Sequence, residues 1–550
     1  MVGNARHNPK PQLTKSRILQ AKNDKLAALN ALKFSVWISR GAGLCLSVDT
    51  LLILLPMCRN ILRVLRKKAP WAHIDESQWF HRQVAYAMLG WTIVHTAAHY
   101  VNFFNVERSQ VRPEASVQIH YSQAGGVTGH IMLLCMLLMY TTAHAKIRKQ
   151  SYETFWYTHH LFIPFLLGMY THATGCFVRD TAAPHSPFAG KQFWEHCIGY
   201  EGWRWELIGG GLYLCERIYR EIRARRETRI LRVIRHPFGE FKNSKQSKQL
   251  LTRADTMEIQ FAKPSMSPQP GQYLFLNCPE VSRMQWHPFT ITSCPFDTYI
   301  SVHVRQVGDF TKELGNALGA GPLQKQFYDE IDPMGIYEID QAIIHEMPPI
   351  RIDGPYGAPA EDVLNNDVAV LIGTGIGVTP FASILKTLWH HRTNGTVPIR
   401  LRRIEFFWIC RDTSSFAWFQ ALLVSLEAQS LEQSEGMGDD FLRIHTYLTK
   451  PNDMDTVNNI VLNSVGTSKD PLTELRSRTN YGRPNWDKLL VGMRDGILEE
   501  TYMPDLDTGK GKTQVGVYFC GPSEAARQIK AASKKADHKN VPFKFWKEHF

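Results

Sequence analysis

Five apolar stretches dominate the first 220 residues, at 34–58, 81–104, 124–145, 154–176 and 200–217. Each is about 18 to 25 residues long, the length an α-helix needs to cross a hydrocarbon core of about 30 Å. The pattern therefore predicts five membrane-spanning helices. From residue 229 it changes to short runs of β type, TMEIQF, QYLFLN, PFTITS, YISVHV and PPIRI, separated by Gly and Pro. These predict a small antiparallel barrel. From residue 367 the strand-like runs DVAVLI, RRIEFFWI, FLRIHTYL and QVGVYF alternate with helical stretches, the signature of a parallel α/β sheet. The polar, Lys-rich segment 239–253 lies between two strands and is expected to be an exposed loop. The fold class is thus multi-domain: an α-helical transmembrane bundle, then an antiparallel β-barrel, then a parallel α/β nucleotide-binding domain.

Composition agrees with a membrane part joined to a soluble part. With 44% apolar and 21% charged residues over 550 positions the chain is neither disordered nor collagen-like, and a mean hydropathy of −0.24 is too polar for a chain wholly in lipid. The net charge of +12 collects beside the apolar stretches. Arg59, Arg63, Arg66, Lys67 and Lys68 follow the first, Lys146, Arg148 and Lys149 separate the third from the fourth, and eight arginines fall within 217–235 after the fifth. Loops of this kind face the cytoplasm and its lipid headgroups, so nucleic acid is not an expected partner. The same alternation puts the basic segment 1–33 on the far side, and that segment lacks the apolar run of a secretory signal. Ten cysteines without a CxxC pair make neither a disulfide scaffold nor a zinc module. No EF-hand loop occurs in the sequence, so calcium is not expected to act directly.

Ionisable residues at bilayer depth are functional candidates. On the second span His81 and His95 are 14 residues apart, and on the fourth His159 and His172 are 13 apart. Each step is about 20 Å of helix, so two adjacent helices would offer one histidine pair near each leaflet, the arrangement for two bis-imidazole haems. A 14-residue step returns to within about 40° of the same face, whereas a 13-residue step misses by about 140°. Pro164 is read as a kink in the fourth span. His160 rivals His159, and spacing does not choose between them. His99, His120, His130 and His144 are expected to be structural or to support the ligands.

In the soluble half, DVAVLIGTGIGVTPF runs an apolar strand into Gly373, Gly375 and Gly377, with Val378 where a dinucleotide fingerprint has its third glycine and Thr379 and Pro380 opening a helix. Such glycines let backbone approach a pyrophosphate at a helix N-terminus. Upstream, His287, Pro288, Phe289 and Thr290 fall on a barrel strand, and Gly308, Asp309, Phe310 and Thr311 open a helix after SVHVR.

Together with LILLPMCRN, WFHRQVAY, IVHTAAHYVNFFNVE, FWYTHHLF, YTHATG, DGPYGAP, CRDTSSFAWF, YGRPNWD and YFCGP, these motifs closely resemble the NADPH oxidase family, superoxide-generating flavocytochromes of the ferric reductase superfamily, most nearly the fungal type. The resemblance covers about 26–550. It implies a di-haem transmembrane domain over 34–218, a basic juxtamembrane linker at 219–235, a ferredoxin-reductase-type FAD barrel over 236–365 and an NADPH domain over 366–550. The family carries six spans, and the basic segment 1–33 stands in place of the first. The resemblance implies metal ligation by His81 and His159 at an inner b-type haem and by His95 and His172 at an outer one, with Arg40 and His99 beside the outer haem where oxygen is reduced. It implies that His287, Pro288, Phe289 and Thr290 contact the isoalloxazine of FAD, and that Arg305, Gly308, Asp309 and Thr311 hold its pyrophosphate. For NADPH it implies the loop of Gly373, Gly375, Gly377, Thr379 and Pro380, the 2′-phosphate ligands Arg411 and Arg483, and Cys520 near the nicotinamide, with Phe550 stacked on the flavin as a gate. Electrons then run from NADPH through FAD and two haems to O2, and the product is superoxide. Expected partners are membrane lipid, a cytosolic adaptor, a Rac-like small GTPase and a small membrane subunit, with the FAD and NADPH domains cytoplasmic. A ferric-chelate reductase on the same scaffold is the alternative enzyme, and a haem-bearing channel without turnover the alternative class. Cys176 and Cys197, at the edges of an outward loop, are expected to form a disulfide.

Overall fold

The computed structural model describes residues 13–69, 74–109, 115–122, 124–172, 203–236, 239–244, 247–252, 256–321, 337–394, 400–411, 417–434, 441–449, 469–470, 473–502 and 512–548. Cys176, Cys197 and Phe550 lie outside them. The chain divides into two compact units, Met1–Ile218 and Tyr219–Phe550.

The first unit is helical. Its elements are α1 (Leu13–Leu54), α2 (Arg59–Lys68), α3 (Ser77–Arg108), α4 (Ser116–Ser122), α5 (Ala124–Ala143), α6 (Ala145–Gln150), α7 (Tyr152–His159), α8 (Phe162–His172) and most of α9 (Trp203–Ala224). Helix α1 starts 21 residues before the apolar stretch at Phe34, so part of the basic segment continues the first helix. Helix α1 packs along α3, and α5 packs on α8. The expected fourth span is broken: α7 ends at His159, and α8 begins at Phe162. Pro164 therefore sits in the first turn of α8, where its missing N–H removes no intrahelical bond.

By length and composition two of the described helical stretches qualify as spans, Phe34–Met57 and Gly125–Ala143. The others fall short for local reasons. The break divides α7 from α8, and α9 carries Arg204, Glu206, Glu216 and Arg217 within its apolar stretch. The surface of the unit is nonetheless inverted relative to a water-soluble protein. Phe34, Trp37, Ile93, Leu134, Leu137 and Leu167 are exposed, while Ser35 Oγ donates to Asn102 Oδ1 at 2.5 Å and Asn102 Nδ2 to Ser39 Oγ at 3.1 Å in the interior. Apolar outside with paired polar groups inside is what a lipid solvent imposes.

The second unit opens with two antiparallel sheets around one core. Strands β1 (Arg229–His236), β4 (Thr256–Ala262), β7 (Ile300–Arg305) and β8 (Tyr337–Glu338) take the order β7-β4-β1-β8. Strands β5 (Tyr273–Asn277), β6 (His287–Thr290) and β9 (Arg351–Tyr356) take the order β6-β5-β9. Val233, Met257, Ile259, Phe261, Leu274 and Leu276 fill the space they enclose. The segment 239–253, expected as a loop, instead pairs β2 (Gly239–Ser244) antiparallel with β3 (Ser247–Thr252). A hairpin satisfies its own backbone N–H and C=O groups, and the register sets Phe241 opposite Leu250 in an otherwise polar segment.

The remainder is a six-stranded, wholly parallel sheet ordered β13-β12-β11-β10-β14-β15. Its strands are β10 (Val368–Thr374), β11 (Arg403–Cys410), β12 (Leu442–Leu448), β13 (Asn480–Tyr481), β14 (Val515–Cys520) and β15 (Phe543–Glu548). Buried strands such as VAVLIGT and VGVYFC read as continuous apolar runs because both faces are covered.

Several arginines of 217–235 have carboxylate partners within the second unit. Arg220 Nε and Arg223 Nε hold the carboxylate of buried Asp353 at 2.8 and 3.1 Å, Tyr356 OH donates to it at 2.6 Å, and Arg232 pairs with Glu338. A buried carboxylate requires such partners. Burial alone would raise the Asp353 carboxyl, but Arg220 and Arg223 outweigh it and hold it below the ordinary carboxylate value. The folded pKa is depressed, so this stabilisation is full above the ordinary value and is lost as pH falls through the folded one. Replacing Asp353 by Asn removes the carboxylate charge from between two buried guanidinium groups, and should destabilise this unit by about 3–5 kcal/mol, read as a fall in its thermal midpoint.

Candidate functional site

The histidines of the first unit form two pairs. The rings of His81 and His159 are 6.3 Å apart, and those of His95 and His172 are 6.0 Å apart. The antiparallel course of α1 along α3 supplies backbone acceptors at matching positions: His81 Nδ1 donates to Ile53 O at 2.9 Å, and His95 Nδ1 to Ser39 O at 2.8 Å. His172 Nδ1 bonds Thr128 Oγ1 at 3.0 Å. Engaging Nδ1 in this way fixes the ring and leaves Nε2 as the ligand atom. His159 Nδ1 is buried with no hydrogen-bond partner among the described residues. Gly43 and Gly129 make room for these rings, since a Cβ on Gly43 would lie 3.3 Å from His95 Cε1 and one on Gly129 would lie 3.2 Å from His172 Cε1.

The break between α7 and α8 accounts for the awkward 13-residue step, because His159 and His172 sit on different helices. His160 turns elsewhere: its Nδ1 meets Trp156 O at 2.7 Å and its ring packs 5.0 Å from Trp156. His99 packs edge-on against His95, with ring centroids 4.5 Å apart. Arg40 is exposed on α1, next to the Ser39 whose carbonyl holds His95. His120 and His130 gather with Tyr100, and His144 caps α6. Ser39, Ile53, Thr128, Gly43 and Gly129 were not singled out in the sequence. Backbone acceptors have no sequence signature, and only the small residues of GAG and GGVTG gave a signal.

In the second unit His287, Pro288, Phe289 and Thr290 constitute β6, with Pro288 exposed and Thr290 buried. The His287 ring stacks on Phe310 at 4.0 Å, joining this strand to α10 (Asp309–Ala317). Burial pushes the His287 imidazole down to about 4, so it is neutral at physiological pH. Arg305 ends β7, and Gly308 caps α10, its N–H bonding Thr311 Oγ1 at 3.1 Å. A Cβ on Gly308 would meet only Thr311 Oγ1, at 4.0 Å, so the helix N-terminus stands open for an anion.

At the carboxyl edge of the parallel sheet β10 turns at Gly375, whose φ is +55°, through Gly377 and Val378 into α11 (Thr379–Asn394). Pro380 lies in the first turn of α11. Trp408 Nε1 donates to Gly375 O at 3.1 Å and fixes the turn. Space above Gly375 is open, whereas a Cβ on Gly377 would lie 2.5 Å from Cys520 O and one on Gly373 2.9 Å from Val378 Cα. Strands β10 and β14 flank the point where the strand order reverses, which is where open α/β sheets bind ligands. Arg411 follows β11 and Arg483 follows β13, both exposed on this same edge. Cys520 ends β14 there, its thiol pushed up by burial and by Glu548 and so kept protonated. Gly377→Ala should weaken the fold of this domain by about 1–3 kcal/mol through the clash, and Gly375→Ala by about 1–2 kcal/mol through backbone strain alone. Thermal midpoints of the two variants, with Gly377→Ala at or below Gly375→Ala, check this.

Three family patterns match in order: "Ferric reductase like transmembrane component" at 42–170, "FAD-binding domain" at 241–360 and "Ferric reductase NAD binding domain" at 366–534. Mouse NADPH oxidase 1 is 32% identical over 93% of this chain and 87% of its own length. Human NADPH oxidase 3 is 32% identical over 93% and 91%. The chain belongs to the NADPH oxidase family. A superoxide-generating NADPH oxidase heavy chain of Dictyostelium discoideum is 31% identical over 95% of this protein and 91% of its own length. A ferredoxin-NADP+ reductase of Plasmodium falciparum aligns at a TM-score of 0.31 with 12% identity, over 58% of this chain and 96% of that one. As an NADPH oxidase family member the protein is an oxidoreductase with a ferric-reductase-like transmembrane domain followed by FAD-binding and NAD-binding domains.

Proposed function

We propose that this protein carries electrons from NADPH across a membrane to O2 and releases superoxide. The observation that carries the reading is the two histidine pairs, 6.3 and 6.0 Å apart, upstream of an FAD-type barrel and a dinucleotide sheet. The domains are assigned as haem bundle over 34–218, FAD barrel over 236–365 and NADPH domain over 366–550, joined through 219–235. The FAD held by the barrel would supply the exchange between a two-electron hydride donor and one-electron steps, and the two haems a one-electron route toward oxygen.

The chain's own residues bind and orient. His81 with His159, and His95 with His172, would hold the two haems, and the separation of each pair leaves room for a planar group between the rings. The backbone acceptors Ile53 and Ser39 and the hydroxyl of Thr128 hold the rings in register. His99, which packs against His95, and Arg40, next in sequence to the Ser39 that holds His95, would offer a hydrogen bond and positive charge to oxygen as it gains negative charge. Arg305, Gly308, Asp309 and Thr311 form the flavin pyrophosphate cradle, and His287, Pro288, Phe289 and Thr290 flank its ring. Gly373, Gly375, Gly377, Thr379 and Pro380 take the NADPH pyrophosphate, and Arg411 and Arg483 its 2′-phosphate. Cys520, neutral, would border the nicotinamide, and the role assigned to the terminal Phe550 is to cover the flavin until the nicotinamide displaces it. The basic loops after the first and third spans and 217–235 face the cytoplasm, as do the FAD and NADPH domains. A cytosolic adaptor, a Rac-like small GTPase and a small membrane subunit complete the active assembly.

Oxygen and ferric chelate are distinguished by rate. Purified chain with NADPH should consume O2 and reduce cytochrome c in a manner abolished by superoxide dismutase, with ferric-chelate reduction slower and suppressed by the dismutase. Dismutase-insensitive ferric reduction outpacing oxygen consumption would favour the ferric reductase.

A further inference from the structure

Three side chains in the barrel converge without a role in the chemistry above. His236 ends β1, Glu258 lies on β4 and His303 on β7, and Glu258 and His303 face each other in the strand register. Strands β1, β4 and β7 are neighbours, and the alternation of side chains puts all three residues on one face of the sheet. Glu258 Oε2 lies 3.6 Å from His236 Nε2 and 3.6 Å from His303 Nε2, and one donor atom from each residue falls within 4.8 Å of the others. Both ring nitrogens of His236 are buried and lack a hydrogen-bond partner among the described residues. The outer contacts are those of a ligand set: His303 Nδ1 bonds Thr292 Oγ1 at 2.9 Å, and Gln260 Nε2 donates to Glu258 Oε1 at 2.8 Å. Each leaves the inward-facing atom as the donor.

We propose that His236, Glu258 and His303 bind a divalent transition-metal ion of the zinc class. Two imidazoles with one carboxylate exclude Mg2+ and Ca2+, which take oxygen donors. Bonds of about 2.0–2.1 Å to a tetrahedral ion put donors about 3.3–3.4 Å apart, and octahedral neighbours about 2.9 Å apart. The observed 3.6 Å separations are nearer the tetrahedral spacing. Three protein ligands leave a fourth position for water. The ion would tie three strands together at the root of the hairpin, since β2 leaves at Gly239 just after His236 and β3 returns at Thr252 just before β4. Its role is therefore to fix this edge of the barrel, apart from electron transfer.

The full chain in detergent, treated with a chelator and then equilibrated with Zn2+, should hold about one zinc per chain, counted by mass spectrometry against haem iron. X-ray absorption at the zinc edge should show nitrogen and oxygen neighbours only. His236→Gln with Glu258→Gln should abolish this zinc while haem and flavin absorbance stay. If that double variant loses haem or flavin, Thr292→Val keeps all three ligands and should weaken zinc binding by about 10- to 100-fold. Equal zinc in wild type and a folded double variant, unaltered affinity in Thr292→Val, or sulfur in the zinc shell would overturn the site.

Discussion

A chain carrying His172→Leu is expected to hold one low-spin b-type haem in place of two and to lose NADPH-driven superoxide formation. His172 packs opposite His95 with its ring oriented by Thr128 and accommodated by Gly129. No other described histidine approaches His95 from that side, for His99 lies on the same helix as His95, one turn away. Leucine provides no ligand atom, so the outer site loses one of its two imidazoles. The electron route to oxygen is then broken, and turnover should fall more than about 100-fold. His159→Leu should remove the inner haem in the same way, while His160→Leu, whose ring is held at Trp156, should keep both. Pyridine haemochrome counts and reduced-minus-oxidised spectra check these outcomes. Two intact haem signals in His159→Leu would transfer the ligand role to His160.

The second large effect is on nucleotide choice. Arg411→Ala together with Arg483→Ala should raise the KM for NADPH and leave that for NADH nearly unchanged. Both guanidinium groups are exposed at the carboxyl edge of the sheet, and neither has a carboxylate partner among the described residues. A charged hydrogen bond to phosphate contributes about 1.5–3 kcal/mol, and about 1.4 kcal/mol is tenfold in affinity. Each arginine is thus expected to account for about 10- to 100-fold, and the pair for a near-complete loss of the preference. Steady-state kinetics with both nucleotides at fixed FAD read it directly. Equal loss with NADH would mean that the substitutions damage the fold or the pyrophosphate loop.

Much of this was legible because the relevant information is local. Apolar length marks the candidate spans, alternation and Gly punctuation mark the barrel, and the fully apolar VAVLIGT marks a strand covered on both faces. The pairing of His81 with His95 on one helix face was also legible, since a helix keeps its own period. The fourth span was not. Its period is reset between His159 and Phe162, and residue spacing does not report a break that backbone geometry creates. The strand KFWKE in β15 is an edge strand with mixed polarity, its half-buried faces blurring the alternation. The hairpin at 239–252 is mostly polar and Lys-rich, so the pairing of its two strands, with Phe241 opposite Leu250, does not stand out from composition. Sites assembled from distant segments were hidden for a further reason. Arg411 and Arg483 share an edge, and Glu258 faces His303, only once strand order and register are set.

The most direct test is sidedness in sealed vesicles. The purified chain, loaded with haem and FAD and supplied with its activators, is incorporated into vesicles and the population with outward FAD and NADPH domains is selected. NADPH is added outside, with a superoxide detector trapped inside and a second one in the bulk. Electron transfer across the membrane through two haems predicts dismutase-sensitive reduction of the trapped detector, absent from His172→Leu vesicles. Superoxide detected only on the NADPH side, at the same rate in wild type and His172→Leu, would show direct oxidation of the flavin by oxygen and contradict the transmembrane route.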